Sequence, residues 1–201
     1  MSPIRVDKEE KKRALLSAAR RVFAQKGFAS TKIEDVAREA GIGKGTVYEY
    51  FRSKDDIFFA LFEEFKAEFH KRIFVMAPKS PPQERLKKYI TSALSAFEEW
   101  KDMSHILLDF WAEHKSKSSA HFRFDELYKV ARENLSTFIQ EGIKKGVYKK
   151  VDPAHTASIL IAIIDGLLLQ WVFNPKSFSL RDIGSDVAAI FLSGIKKEKS
   201  R

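Results

Sequence analysis

The sequence contains no cysteine among its 201 residues. A disulfide framework and a thiolate metal site are therefore excluded, and the composition is typical of a reducing compartment. The five histidines are widely separated and match no metal-ligand spacing such as HExxH, so we expect no metal site and no cofactor. A glycine-rich phosphate loop and a GxSxG nucleophile elbow are also missing, which argues against an enzyme.

Long uninterrupted apolar runs are absent as well. The most apolar stretch, residues 159–173, contains Asp165 and Gln170, so we expect no transmembrane segment and no membrane partner. The charged amino-terminal residues are followed by no apolar stretch of the signal-peptide type. Strand-like alternation is also missing, so the sequence predicts an all-α fold. Without a predicted signal peptide or membrane segment, we expect a cytoplasmic protein.

Residues 31–51, TKIEDVAREAGIGKGTVYEYF, carry the clearest local pattern. Thr31 and Glu34 have the spacing of a capping box, and apolar residues at helical intervals follow them. Gly41 stands where the end of a helix requires a positive φ, so a sharp turn should follow. The stretch therefore predicts two short helices, over 31–40 and 44–50.

The second of these helices should bury Val47 and Phe51 and direct lysine, threonine and tyrosine side chains outward. Two short helices joined by a tight turn are typical of a helix-turn-helix unit, whose second helix lies in the major groove of DNA. A surface helical hairpin without a DNA role is the alternative.

Positive charge is concentrated near the amino terminus. Residues 1–54 hold 13 Lys or Arg and 7 Asp or Glu, so they carry +6 of the net charge of +9. This distribution is expected of a DNA-binding domain, although basic clusters also suit acidic lipids. We therefore predict a DNA-binding domain over 1–54 and a ligand-binding and dimerisation domain over 55–201.

Apolar periodicity, caps and helix breakers predict further helices after the first three. The predicted helices cover residues 9–25, 31–40, 44–50, 53–75, 83–100, 103–114, 120–145, 153–173 and 180–196. Breaker residues at 78–82 and a polar segment at 115–119 predict connecting loops, and the basic end KKEKSR predicts a frayed tail.

The helix over 153–173 is apolar around most of its circumference, so it should be buried on all sides. One side would face the core of the same subunit and the other a second subunit. Asp165 lies in this helix and has two possible roles, a hydrogen bond to a neighbouring helix or subunit, or a place in a ligand pocket. The predicted dimer contacts are Ile161, Ile164, Leu168, Val187, Ile190 and Phe191.

Taken together, the first 60 residues resemble the amino-terminal domain of the TetR family of transcriptional regulators. The matching features include the Gly27-Phe28 pair, Gly41 and the acidic pair before Ile57. The resemblance implies a homeodomain-like three-helix unit joined to a helical ligand-binding bundle, acting as a dimeric repressor. It also implies that DNA is contacted by Thr31, Lys32, Lys44, Gly45, Thr46, Tyr48, Tyr50 and Lys54.

Within that set, Tyr48 and Lys54 would hold phosphates, Lys44 can donate to guanine O6 and N7, and Thr46 can contact a thymine methyl group. Glu49 could accept from cytosine N4, or it could be a solvent-facing carboxylate.

Phenylalanine is abundant, with 17 residues, and several fall on the inward faces of the later helices. This favours a mainly apolar effector, although plain core packing explains any one of them. The stretch from residues 164–180 on to SGIKK at 193–197 is similar to the fatty-acid-responsive branch of the family, which implies a long-chain acyl-coenzyme A. An architectural DNA-binding protein without an effector is the alternative. Phe122 is one of the phenylalanines on these inward faces. The predicted ligand contacts are Phe65, Phe69, Phe97, Leu107, Phe110, Trp111 and Phe138.

Overall fold

A computed structural model describes residues 3–74, 80–114 and 124–197 of the chain. Along these residues the backbone forms nine α-helices and no strand beyond an isolated bridge, which confirms the all-α prediction. The helices are α1 (Pro3–Lys26), α2 (Ile33–Glu39), α3 (Lys44–Tyr50), α4 (Lys54–Phe74), α5 (Pro82–Glu99), α6 (Lys101–His114), α7 (Phe124–Lys144), α8 (Pro153–Phe173) and α9 (Leu180–Ile195).

Several predicted features lie outside the described residues. They are the linker at 115–119, the start of the seventh predicted helix, Phe122, the first part of the 78–82 loop and the end of the basic tail.

The helices form two compact units. The first unit holds α1, α2, α3, α4 as far as Glu68, and α6. The second unit holds the end of α4 together with α5, α7, α8 and α9. The predicted DNA-binding domain over 1–54 and ligand-binding domain over 55–201 were defined by function rather than by packing, and these two domains stay a prediction.

An aromatic core holds the first unit together. Phe28, Phe58 and Phe110 are all fully buried. The Phe58 and Phe110 rings are stacked with their centroids 3.7 Å apart, and the Phe28 ring meets Phe110 edge-on at 5.1 Å. Helix α1 packs against α2 and α6, so α6 belongs to the core of this unit although 50 residues of sequence separate it from α3.

The helix caps follow the sequence in part. The predicted cap at Ser53 is confirmed, because its hydroxyl accepts from the backbone N–H of Asp56 at 3.1 Å. The predicted capping box of Thr31 and Glu34 is wrong: α2 begins two residues later, and the Asp35 carboxylate accepts from the Lys32 N–H at 3.1 Å. Thr31 is buried and its hydroxyl turns back toward the preceding helix, so it cannot cap α2.

In the second unit α5 packs mainly against α9, and α7 packs against α8. The predicted start of α8 is confirmed, since the Asp152 carboxylate accepts from the His155 N–H at 2.8 Å and Pro153 is the first helical residue. Helix α9 begins with a similar cap, in which the Ser179 hydroxyl accepts from the Asp182 N–H at 3.2 Å. These caps fix where the two helices start.

Helix α8 is long and apolar enough to cross a membrane by length and composition, which corrects the expectation that no segment reaches that length. A core helix passes the same test, and α8 buries Leu160, Ile164, Leu168 and Trp171 inside the second unit. Its opposite face is open in the single chain. Ile159 is 57% exposed and Phe173 80% exposed, so α8 is not covered on all sides by its own subunit.

Four predicted dimer contacts pack in the core of their own subunit. Ile164, Leu168, Val187 and Phe191 are each less than a tenth exposed, which corrects their assignment to a dimer interface. The periodicity of α8 and α9 identified them as apolar but could not show which apolar side the subunit itself covers. Of the other two residues, Ile161 is partly buried and Ile190 is 73% exposed.

Candidate DNA-binding surface

Helix α3 is held in place by two apolar anchors. Val47 is fully buried and Phe51 is 5% exposed. The other side of the helix carries exposed Lys44 and Gly45, and Tyr48 is 47% exposed. Thr46 and Tyr50 are partly exposed at the edges of this surface, which we call the α3 face. The α3 face therefore presents hydrogen-bond donors, and the backbone at Gly45, to the solvent.

The turn before α3 has the geometry that its glycine predicts. Gly41 has φ of 69°, and the N–H of Ile42 donates to the carbonyl of Ala37 at 3.0 Å. This hydrogen bond closes α2 in the manner of a Schellman motif, which requires a left-handed residue at the position of Gly41. The direction of α3 relative to α2 is thus set by local backbone hydrogen bonds.

Lys44 on the α3 face is joined to α2. Its ammonium lies 2.5 Å from Oε1 of Glu34, and it also lies 5.7 Å from the centre of the Tyr48 ring. The hydrogen bond from Lys44 lowers the pKa of Glu34, and the same contact raises the pKa of Lys44. Both groups are therefore charged at neutral pH. In the free protein the ammonium of Lys44, which was predicted to bind a guanine, is bound to Glu34 instead.

The loop of residues 27–31, between α1 and α2, takes up two of the predicted DNA contacts. The Thr31 hydroxyl donates to the carbonyl of Gly27 at 2.7 Å, and Thr31 is only 3% exposed. The Lys54 ammonium donates to the carbonyls of Phe28 at 2.6 Å and Ala29 at 3.1 Å, and it lies 4.3 Å from the centre of the Phe28 ring. Both side chains therefore hold the loop in position through its carbonyl groups.

Asp109 on α6 holds the same loop and was not singled out from the sequence. Its Oδ2 accepts from the N–H of Phe28 at 3.4 Å, and a Cβ on Gly27 would lie 3.1 Å from the same oxygen. Gly27 also has φ of 78°, a conformation that favours glycine. No local signal marks Asp109, because its partner lies 81 residues earlier in the chain.

Ion pairs on the surface join α1 to α2. Nε of Arg21 lies 2.7 Å from Oε1 of Glu39, and the Lys26 ammonium lies 2.7 Å from Oδ1 of Asp35. The pair with Lys26 lowers the pKa of Asp35. Because these pairs use part of the basic face of α1, that face contributes less unpaired charge than the sequence suggests.

Two family models match the chain. Residues 15–61 match the model described as bacterial regulatory proteins of the tetR family, and residues 82–192 match that of the BetI-type transcriptional repressor, C-terminal. The second match alone covers more than half of the chain. The chain belongs to the TetR family of bacterial transcriptional regulators. It is therefore a DNA-binding regulator rather than an enzyme, and the resemblance stated from the sequence is confirmed.

Relatives and solved structures agree with this membership. The fatty acid metabolism regulator protein of Bacillus subtilis (strain 168) is 26% identical over 190 residues, covering 94% of this chain and 97% of that protein. The structure of FadR from Bacillus subtilis in complex with stearoyl-CoA is 24% identical with a TM-score of 0.78, covering 90% of this chain and 98% of that chain.

One further similar structure was solved with a different ligand. The structure of a putative transcriptional regulator from Saccharomonospora viridis in complex with choline has a TM-score of 0.81 and 25% identity. It covers 94% of this chain and 100% of that chain. The TetR-family fold is thus shared along nearly the whole length of solved structures whose bound ligands differ.

The predicted ligand contacts of this TetR-family chain are divided between the two units. Phe65, Leu107, Phe110 and Trp111 belong to the first unit. Phe110 is fully buried against Phe58, so we assign it to packing, and Trp111 is 52% exposed, which corrects its predicted inward position.

The remaining described ligand candidates belong to the second unit and are partly buried there. The rings of Phe69 and Phe97 lie 5.9 Å apart, and the guanidinium of Arg85 lies 4.3 Å from the centre of the Phe138 ring. Within the described residues no group of three or more His, Cys, Asp and Glu side chains could hold a metal ion.

Proposed function

We propose that this protein is a cytoplasmic repressor that binds a pseudo-palindromic operator as a dimer and releases it when a hydrophobic small molecule binds. The observation that carries the DNA-binding part is the α3 face, where donors and bare backbone are exposed while Val47 and Phe51 anchor the helix. The proposed contacts are Lys32, Lys44, Gly45, Thr46, Tyr48 and Tyr50. Thr31 and Lys54 are assigned to holding the loop of residues 27–31.

Dimerisation is proposed through the open sides of α8 and α9. Ile159, Leu169, Phe173 and Ile190 are 57%, 44%, 80% and 73% exposed in the single chain. The three residues of α8 lie on one side of that helix, opposite its buried face. Covering this apolar surface would pair two subunits, and two helix-turn-helix units could then bind half-sites about 34–36 Å apart.

The effector is proposed to bind in the domain that follows residue 54. Long-chain acyl-coenzyme A is one candidate, supported by the relation to the fatty acid metabolism regulator of Bacillus subtilis. A small organic cation is the second, supported by the similarity to a choline-bound structure. Either effector must bind the DNA-incompetent conformation more tightly than the competent one, because equal affinity shifts no equilibrium.

Gly45 and Tyr48 provide the test of the DNA-binding surface. A Cβ on Gly45 would meet nothing within 4 Å, and alanine forms helices better than glycine, so Gly45→Ala should fold at least as stably. We expect it to weaken operator binding because the added methyl group keeps the α3 backbone from the DNA. Tyr48→Phe should weaken binding to all sequences alike through loss of a phosphate contact.

The measurement is fluorescence anisotropy with the DNA that flanks the gene, together with footprinting to give the half-site spacing. Thermal melting of each variant is the control for folding. Full operator affinity in both variants would contradict the assignment of the α3 face.

An architectural DNA-binding protein without an effector is the alternative function. A thermal-shift screen with acyl-coenzyme A esters, fatty acids and organic cations separates the two. Stabilisation by one compound, with release of the operator by the same compound, supports the repressor; no stabilisation by any of them favours the architectural protein.

A further inference from the structure

The ammonium of Lys54, which the sequence predicts to hold a DNA phosphate, is bound to the chain itself. It donates to the carbonyl oxygens of Phe28 at 2.6 Å and Ala29 at 3.1 Å, and it lies 4.3 Å from the centre of the buried Phe28 ring. To reach a phosphate, Lys54 would have to give up two charge-assisted hydrogen bonds and this contact with the ring. The phosphate contact predicted at this point is therefore better supplied by another side chain.

Most of the other basic side chains of the helix-turn-helix are bound inside the subunit as well. Of the five Lys and Arg in residues 31–54, three are bound in this way: Lys44 and Arg38 to acids of α2, and Lys54 to the loop of residues 27–31. The other two are Lys32 and Arg52. Both are exposed, and within the described residues neither forms an ion pair.

Arg52 stands at the junction of α3 and α4, on a backbone that is fixed from both sides. Phe51 before it is 5% exposed, and its N–H donates to the carbonyl of Val47 at 3.0 Å. The N–H of Arg52 itself donates to Oδ2 of Asp56, in the first turn of α4, at 3.0 Å. The exposed side chain of Arg52 therefore extends from a defined backbone position.

This junction directly follows the helix that is proposed to enter the major groove. Helix α3 has seven residues, so at 1.5 Å per residue it is about 10 Å long. The major groove is about 12 Å wide, so a long side chain that flanks such a helix can reach the phosphates at the edge of the groove. The guanidinium of an arginine suits that position because it can donate two parallel hydrogen bonds to one phosphate.

We propose that Arg52, rather than Lys54, supplies the phosphate contact that follows α3, and that Lys54 is a positioning residue for the loop of residues 27–31. This assignment rests on the proposed function, in which the α3 face binds the operator. It gives different roles to two basic residues that are only two positions apart. Because a phosphate contact carries no sequence information, Arg52 contributes to the affinity for operator and for other DNA alike.

The test is the salt dependence of DNA binding by the full-length protein. Fluorescence anisotropy with the DNA that flanks the gene gives the affinity between about 50 and 200 mM KCl. Each phosphate contact contributes about 0.9 to the slope of log K against log salt, so a dimer that loses the contact from both subunits should lose about 1.8. We expect Arg52→Gln to show this loss and to bind at least about tenfold more weakly at the low-salt end.

Three further variants separate the contact from charge and from folding. Arg52→Lys keeps the charge and should keep the slope. Lys54→Gln removes a positive charge two residues later; it should lower the melting temperature, because two loop carbonyls lose their donor, and leave the slope unchanged. Lys145→Gln on α7 removes an exposed positive charge from the second unit and should change neither slope nor melting temperature. Arg52→Gln should melt as the native protein does, because its side chain is exposed.

The proposal is overturned if Arg52→Gln keeps the native slope, or if Lys54→Gln loses the slope that is expected of Arg52→Gln. Where Lys54→Gln does not fold, the two Arg52 variants and Lys145→Gln decide the contact by themselves. A native protein that still binds the flanking DNA with a steep slope would leave the proposed repressor intact in either case. A native protein that binds no DNA would overturn both the repressor and the contact.

Discussion

At the scale of single residues, the DNA-binding surface depends on which side chains are already bound to other groups. The ammonium of Lys44 lies 2.5 Å from Oε1 of Glu34, so the proposed contact of Lys44 with DNA requires that this ion pair break. The pKa of Glu34 is lowered and that of Lys44 is raised, so this pair persists at neutral pH; on the acidic side it is lost as the pH falls through the lowered pKa of Glu34. On the proposed function, Glu34 would therefore compete with DNA for Lys44 at neutral pH.

We predict that Glu34→Gln raises operator affinity by about two- to fivefold, because exposed ion pairs are weak but this one engages a proposed DNA contact. Anisotropy titrations at several salt concentrations measure the effect. Glu39→Gln removes the same charge from α2, but its partner is Arg21 on α1, so it is the matched control. An equal gain in both variants would show a general effect of charge and no competition at Lys44.

At the scale of helices, α6 is a structural part of the first unit. Phe110 stacks on Phe58 and meets Phe28, and Asp109 in the preceding position accepts from the loop of residues 27–31. Neighbouring positions of one helix thus hold the aromatic core and the loop that leads into α2. The sequence placed α6 in the ligand-binding domain, where Phe110 would line a pocket.

We predict that Phe110→Ala lowers the free energy of unfolding by about 3–5 kcal/mol, the usual cost of removing a buried phenylalanine. Trp111→Ala is the control on the same helix, and it should change stability by less than about 0.5 kcal/mol because Trp111 is 52% exposed. Urea unfolding followed by circular dichroism provides both values. A loss of effector affinity in Phe110→Leu at unchanged stability would restore its role in the pocket.

At the scale of the whole molecule, the proposed function requires two subunits, since one α3 face would contact only a few base pairs. Ile159, Leu169 and Phe173 on α8 and Ile190 on α9 are exposed in the single chain, so an apolar surface is available for pairing. Ile190 is 73% exposed on α9 and has no packing role in its own core that would explain an apolar side chain there.

We predict that Ile190→Glu weakens dimerisation by at least about tenfold, because a charge would be buried at the subunit interface without a partner. Analytical ultracentrifugation measures the oligomeric state, and operator affinity should fall in parallel. Val130→Glu on α7 is the control, since Val130 is 47% exposed on another helix of the same unit. A dimeric Ile190→Glu protein would exclude Ile190 from the interface.

The sequence by itself determined the helices and the turn that makes the α3 face. Caps, helix breakers and apolar spacing act over a few residues, so the bounds of α3 and the left-handed Gly41 follow from local chemistry. The resemblance to the family was also visible in the sequence, because the residues that carry it lie within the first 60 residues. The cap of α2 was misplaced because Thr31 forms its hydrogen bond with the preceding loop instead.

Only the tertiary structure decided which polar groups form hydrogen bonds, and which apolar groups pack, within the chain itself. The partners of Lys54, Asp109 and Phe110 lie 25 to 82 residues away in sequence, and no periodicity reveals such pairs. Helix α8 is apolar around most of its circumference, so its sequence does not show which side its own subunit covers and which side stays exposed. Packing separates these sides because each helix buries the face that its neighbours can cover.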